Sequence, residues 1–363
     1  MNKFGNSFLL LLAGVLAGCS NFGYYVQAMG GHLDVMRAVQ PISELVRDPA
    51  IDPMLRKRLA DVQAIREFAS RDLGLPDNNS YRAYADLGRP YVVWNVFAAP
   101  EFSLEPKRWC MLMVGCVNYR GYYARQDAEQ LAAELRLEGY DTIVGGVSAY
   151  STLGYFDDPV LSSFLRLGTA EVARTVFHEL AHQLVFVQGD SMFNESFATV
   201  VENEGMRRWL AIRATPEQRA AFEGQLERKT AVAGLIRDYR KKFHSLYDAA
   251  GSSKDQRQAK AGLLDALRRD YGELKIAWGG HAGYDKFFAE DLNNAKLASL
   301  SLYSELVPAF EALLLLEDHD LPRFYRRVAT LAALDKEARS SALGTLLPGR
   351  SNVLQAGQAK PAG

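Results

Sequence analysis

The sequence predicts an α+β fold that is predominantly α-helical. A small sheet in the N-terminal half, with an edge strand beside a long helix, is followed by a helical C-terminal half. Three observations lead there. Runs of β-branched and aromatic residues fall between 91 and 147. From Thr169 onward, apolar residues recur at three- and four-residue intervals. A hydrophobic content of 48% over 363 residues is enough to bury a substantial core.

The elements follow in order. Residues 24–47 and 53–72 read as two helices, with Pro41 kinking or dividing the first. The stretch from Tyr91 to Phe97 and the run from Cys110 to Tyr119 read as strands, and 125–139 as a helix. Ile143, Val144 and Val147 then mark the strand that carries Gly145-Gly146. Helical patterns cover 169–187, 191–212, 215–243, 254–270, 299–316 and 320–333. Gly251-Ser252-Ser253 breaks the charged pair within 215–270, which is expected to fold back as an antiparallel hairpin. The tail over 348–363 is rich in Gly, Ala, Gln and Ser and is expected to be disordered, so the folded body spans 19–347.

Charge and cysteine content narrow the function classes. The formal net charge is -1, and no basic field is available to a nucleic acid. Met1-Asn2-Lys3 is a short basic region, residues 8–16 are apolar, and Leu16-Ala17-Gly18-Cys19 resembles a bacterial lipobox. Residues 1–18 are therefore expected to be a removable signal, with Cys19 lipidated and tethering the body to a membrane. By resemblance to lipoprotein sorting, Ser20 favours the outer membrane, facing the periplasm. Cys110 and Cys116 are the other two cysteines. An extended run would hold them beyond bridging distance, whereas a sharp turn or bulge at Gly115 would let them pair.

His178-Glu179-Leu180-Ala181-His182 carries the chemistry. On a helix the two imidazoles stand one turn apart on one face and can reach one metal ion. Thr169 is the expected N-cap of that helix and Gly189 lies beyond its end. Glu195 follows His182 after twelve intervening residues, in the first turn of the next helix. A helix, a short turn and a returning helix would bring it back as a third ligand. Two neutral imidazoles and one carboxylate, with one open position, make a catalytic zinc site, and Glu179 is the general base beside it.

The segments His178-Glu179-Leu180-Ala181-His182-Gln183 and Asn194-Glu195-Ser196-Phe197-Ala198 through Glu202 resemble the paired motifs of aminopeptidase N and its gluzincin relatives. The chain is similar to a bacterial lipoprotein family described as zinc-dependent aminopeptidases. The resemblance implies one Zn2+ ion held by His178, His182 and Glu195, and catalysis by Glu179. It further implies that Glu202 holds a ligand imidazole in its tautomer, and that peptides are the substrates. In gluzincins a sheet-edge strand upstream of the active helix pairs with substrate backbone, which here falls on Gly145, Gly146, Val147, Ala149 and Tyr150. The glutamate that grips a substrate amine in aminopeptidase N has no counterpart between Gly145 and Thr152, and Asp157 or Asp158 could stand in for it. The donor for the developing oxyanion is sought at His281, Tyr284 or Tyr303. Cleavage from the N-terminus or within a peptide both remain open. A different class, an envelope lipoprotein that binds peptides or a partner with structural zinc or no turnover, is the competing expectation.

Overall fold

The structure, a computed structural model, describes residues 23–347 apart from 112–114, 290 and 302–304. Cys19, Tyr303 and the tail over 348–363 lie outside the described residues. Helix α1 covers 23–37, and the first predicted helix is divided near Pro41 into α1, strand β1 (Val39–Pro41) and the short helix α2 (Ile42–Leu45). Helix α3 (Pro53–Arg71) starts on Asp52, whose carboxylate accepts from the backbone N–H groups of Met54 and Leu55. Pro53 sits at its first position, where no intrahelical donor is needed.

The β-structure is three small sheets. Strands β3 (Val93–Pro100) and β7 (Tyr140–Val147) pair antiparallel over eight residues, from Val93↔Val147 to Pro100↔Tyr140. Strand β6 (Arg120–Tyr122) pairs with the other side of β3, so β7 is the edge strand, as the sequence predicts. Helix α4 (Arg125–Leu137) covers this sheet with Ala128, Ala132 and Leu135. A second sheet joins β1, β2 (Ala83–Ala85) and β8 (Val160–Leu161). Strands this short carry too few residues for an alternation to be read.

The third sheet corrects the strand expected from Cys110 to Tyr119. That run folds back as a hairpin of β4 (Trp109–Met111) and β5 (Gly115–Val117). Gly115, at φ 74°, adopts a left-handed conformation that most side chains disfavour. Cys110 and Cys116 thereby become register partners and form a disulfide. The turn at Gly115 resolves the two alternatives in favour of pairing.

From 162 onward the described chain is helical: α5 (Ser162–Leu165), α6 (Thr169–Leu184), α7 (Ser191–Arg213), α8 (Pro216–Asp248), α9 (Ser253–Ala277), α10 (Asp285–Ala289), α11 (Asn294–Ser301), α12 (Val307–Leu316), α13 (Leu321–Ala332) and α14 (Lys336–Leu346). The segment expected as one helix over 299–316 is instead α11 and α12. Helices α8 and α9 pack on each other, and Tyr239 donates to Asp270 across them at 2.6 Å. Helix α9 is tied to the sheet by the Lys260 ammonium, 2.6 Å from the Asp141 carboxylate. No helix of the described residues is long and apolar enough to cross a membrane.

The main core lies where α6 and α7 pack against α3 and the last three helices. Phe68 meets Phe177 and Trp209, and Phe197 meets Phe310 and Phe324. Gly205 lets α7 come close to its neighbours, because a Cβ there would stand 2.8 Å from both the Phe177 ring and Leu73. Helix α6 begins one residue earlier than its expected cap implies. Gly168, at φ 100°, is the N-cap, and Thr169 is the first helical residue.

The turn from α6 to α7 decides where Glu195 goes. Helix α6 ends at Leu184, three residues short of the expected 187, because Val185 turns extended. Asn194 then clasps Val187 at two points: its amide oxygen accepts from the Val187 N–H at 2.8 Å, and its amide nitrogen donates to the Val187 carbonyl at 2.9 Å. Asp190 caps α7 through Phe193, and its carboxylate also takes Arg339 of α14 at 2.7 Å. Asn194 is 2% exposed, and losing its side chain takes the partner of the Val187 N–H, whereas the Val187 carbonyl still accepts from the Asp190 N–H. Asn194→Ala is therefore expected to cost about 1–2 kcal/mol of stability. An unchanged urea-unfolding midpoint in that variant would mean that the clasp does not hold the turn.

Candidate metal centre

Helix α6 buries Val176, Phe177, Leu180 and Ala181 in the core. His178 and His182, four residues apart, share the adjacent face, and their ring centroids are 4.9 Å apart. Glu195, delivered by the first turn of α7, meets them there. Its Oε2 is 3.2 Å from His178 Nε2 and 3.8 Å from His182 Nε2. The ligand atoms of all three residues lie within 4.8 Å of one another, a group that could hold a metal ion. Two imidazole nitrogens and a carboxylate oxygen form the donor set of a catalytic zinc site.

Glu202, two turns along α7 from Glu195, stands behind the histidine. Its Oε2 is 3.1 Å from His178 Nδ1, and its Oε1 is 2.7 Å from the Arg174 guanidinium. With Nδ1 held this way, Nε2 of His178 is the nitrogen turned towards Glu195. Burial works to raise the Glu202 carboxyl, but His178, Arg174 and Lys229 outweigh it and hold the group down at about 2. Nδ1 of His182 is buried with no hydrogen-bond partner among the described residues, so only one ring of the pair is fixed from behind.

Glu179 faces the same space. Burial pushes its carboxyl up to about 7; the negative charges of Glu195, Asp158 and Glu202 add to this, and His178 opposes it. Burial, with the charge of His178 adding to it and Glu195 opposing, lowers His182 to about 4, which keeps its ring neutral and able to ligate.

These residues floor a cleft of about 490 Å³. Val147, Ala149 and Tyr150 line it, at and just beyond the end of the edge strand. Gly145 and Gly146 are not among its lining residues. The Gly146 α-carbon abuts the Tyr91 ring, and Gly145 has open space beside it. Asp158 is turned away, its carboxylate accepting from the Thr152 N–H at 3.0 Å, and Asp157 meets Asn79. His281 is exposed, and Tyr284 packs near Trp278 in the second core; neither lines the cleft.

Four tyrosines line the cleft, Tyr24, Tyr119, Tyr123 and Tyr150, and Tyr119, which no expectation from the sequence named, is the one close enough to feel the charges of Glu195 and Glu179. The β4–β5 hairpin and the adjoining loop bring it in, and its ring rests on Phe97 with centroids 5.6 Å apart. Burial and the negative charges of Glu195 and Glu179 raise its phenol well above the usual value, so the hydroxyl keeps its proton. No motif marks it among 17 tyrosines, and the turn at Gly115 was the signal that could have found it.

The chain matches the family model described as "Putative aminopeptidase" over residues 23–343, from the start of α1 into α14. No curated protein and no solved structure matches it. A match of that extent makes the chain a member of the family of that description.

Proposed function

We propose that the protein is a zinc-dependent metallopeptidase that removes residues from the N-termini of peptides, and that it is lipid-anchored through Cys19 in the bacterial envelope. The observation that carries this reading is the meeting of His178, His182 and Glu195 beside Glu179 on the floor of one cleft. Membership of the family supports the aminopeptidase part, and the lipobox-like Leu16-Ala17-Gly18-Cys19 supports the anchor.

His178, His182 and Glu195 would hold the ion. When bound, zinc supplies a Lewis acid that polarises a carbonyl and acidifies water. Glu179 takes the proton from the attacking water on its carboxylate and returns it to the leaving amine nitrogen. Burial raises this carboxyl above the ordinary carboxylate range in the metal-free protein, which favours its holding a proton between the two halves of that transfer. Tyr119 donates its phenolic hydrogen towards the carbonyl oxygen as negative charge builds there. Tyr150, Val117 and Met111 give the cleft an apolar wall for a substrate side chain. Of the carboxylates lining the cleft, Glu171 alone stands outside the metal, base and Glu202 set; one of its oxygens meets Arg174 at 3.4 Å, and the carboxylate is the candidate for a substrate ammonium.

Glu179→Gln is expected to retain metal and lose activity by about 10²–10⁴-fold on free-amine peptides. Full activity in that variant would refute the mechanism, and equal cleavage of N-acetylated peptides would make the enzyme an endopeptidase.

Glu202 yields a pH-dependent prediction. Its folded carboxyl lies at about 2, below the ordinary 4.5, so the stability it contributes is present above 4.5 and is lost as pH falls towards 2. In metal-stripped protein, Glu202→Gln should flatten the dependence of unfolding free energy on pH across that window. It should also weaken zinc binding by about 10–100-fold. Unaltered affinity and an unaltered acid slope would remove Glu202 from the account.

A further inference from the structure

Helix α1 has two unlike faces. Gly23, Val26, Met29, Gly30 and Leu33 are exposed, and no charge joins that stripe until Asp34 and Arg37, which pair with each other in the last turn. Val26 is 54% exposed, Met29 65% and Leu33 50%, and at about 100° per residue the three fall within about 60° of arc. The opposite face belongs to the cleft. Tyr24 and Ala28 line it, His32 Nδ1 is 2.9 Å from the Tyr150 hydroxyl, and Gln27 bonds the backbone of β6 at Gly121.

The apolar surface continues past the helix. The Phe156 ring lies against His32, centroids 4.8 Å apart, and is itself 52% exposed, with Tyr155 at 65% beside it. Ser151 and Leu153 of the same loop line the cleft. Five large apolar side chains therefore flank one side of the cleft mouth, on a chain whose net charge is -1. A patch of this kind on a folded body calls for a cover. The sequence limits what that cover is: Gly23 comes four residues after Cys19, a reach of about 13 Å at most. A lipid attached there keeps the start of α1 within the headgroup layer. An uncharged apolar stripe with Phe and Tyr at its margin suits that layer.

We propose that the outer face of α1, with Tyr155 and Phe156, lies in the lipid interface, so that the cleft opens at the membrane surface and takes peptide termini displayed there. This rests on the anchor reading, which supplies both the route to the bilayer and the choice of lipid as the cover.

The test uses the full-length chain in phospholipid vesicles whose acyl chains carry a nitroxide. Met29→Cys, or Leu137→Cys as a control, bears an environment-sensitive fluorophore. Leu137 is 91% exposed and apolar but precedes Tyr140, at the far end of β7 from the cleft. Quenching several-fold stronger at position 29 than at 137 is expected, and equal quenching overturns the proposal. A position-29 label that stays bright on a chain found dimeric by light scattering also overturns it, because a second copy then covers the stripe. The mass of the N-terminal peptide reads the acyl group separately. If Cys19 carries none, the anchor reading fails and vesicle flotation of the same protein decides the surface. Flotation lost in the combined variant Val26→Ser, Met29→Ser and Leu33→Ser supports it, and equal flotation refutes it.

Discussion

The crossing of α6 and α7 governs the rest of the molecule. His178 and His182 are fixed by helical spacing, but Glu195 reaches them only because α7 returns along α6 at close range. Gly205 permits that approach, Asn194 closes the turn, and Asp190 with Arg339 seats the start of α7. Gly205 and Arg339 do not line the cleft, whereas Asn194 adjoins Glu195 at its floor. Together they set the distance between one carboxylate oxygen and two imidazole nitrogens, which decides whether a cation can be held at all.

Electrostatics follow from that crossing. Three glutamates and two histidines, buried or half-buried, crowd around one point, an arrangement that would be costly without compensation. Arg174 and Lys229 supply positive charge behind Glu202, which in turn holds Nδ1 of His178. The centre is thus built in depth on one side, through Arg174, Glu202 and His178. The other histidine is left with a bare Nδ1. Burial, with the charges of Glu195, Asp158 and Glu202 adding to it against His178, raises the Glu179 carboxyl.

Much of this was legible in the sequence, and the failures have identifiable physical causes. Helix periodicity located α6 and α7 to within a few residues, although only α6 shows a single buried face and α7 is buried almost all round from Ser196 to Met206. Spacing after HELAH pointed to Glu195 and the family resemblance to Glu202; Glu195 meets both histidines and Glu202 meets His178. What the sequence hid was made by short-range backbone events. The hairpin at Gly115 turned an apparent strand on itself, paired Cys110 with Cys116, and carried Tyr119 into the cleft, while His281 and Tyr284 stayed away. Strands of two or three residues, such as β8, have no periodicity to read. Helix α1 was readable as a helix, yet which of its faces would meet the cleft depended on tertiary packing.

The central claim is that two imidazoles and one carboxylate hold a single cation. Titrating zinc into metal-stripped protein, followed by calorimetry, tests it most directly. The account predicts one site per chain in the wild type, and its loss in Glu195→Ala. Absence of stoichiometric binding, or equal binding by the two proteins, would contradict it.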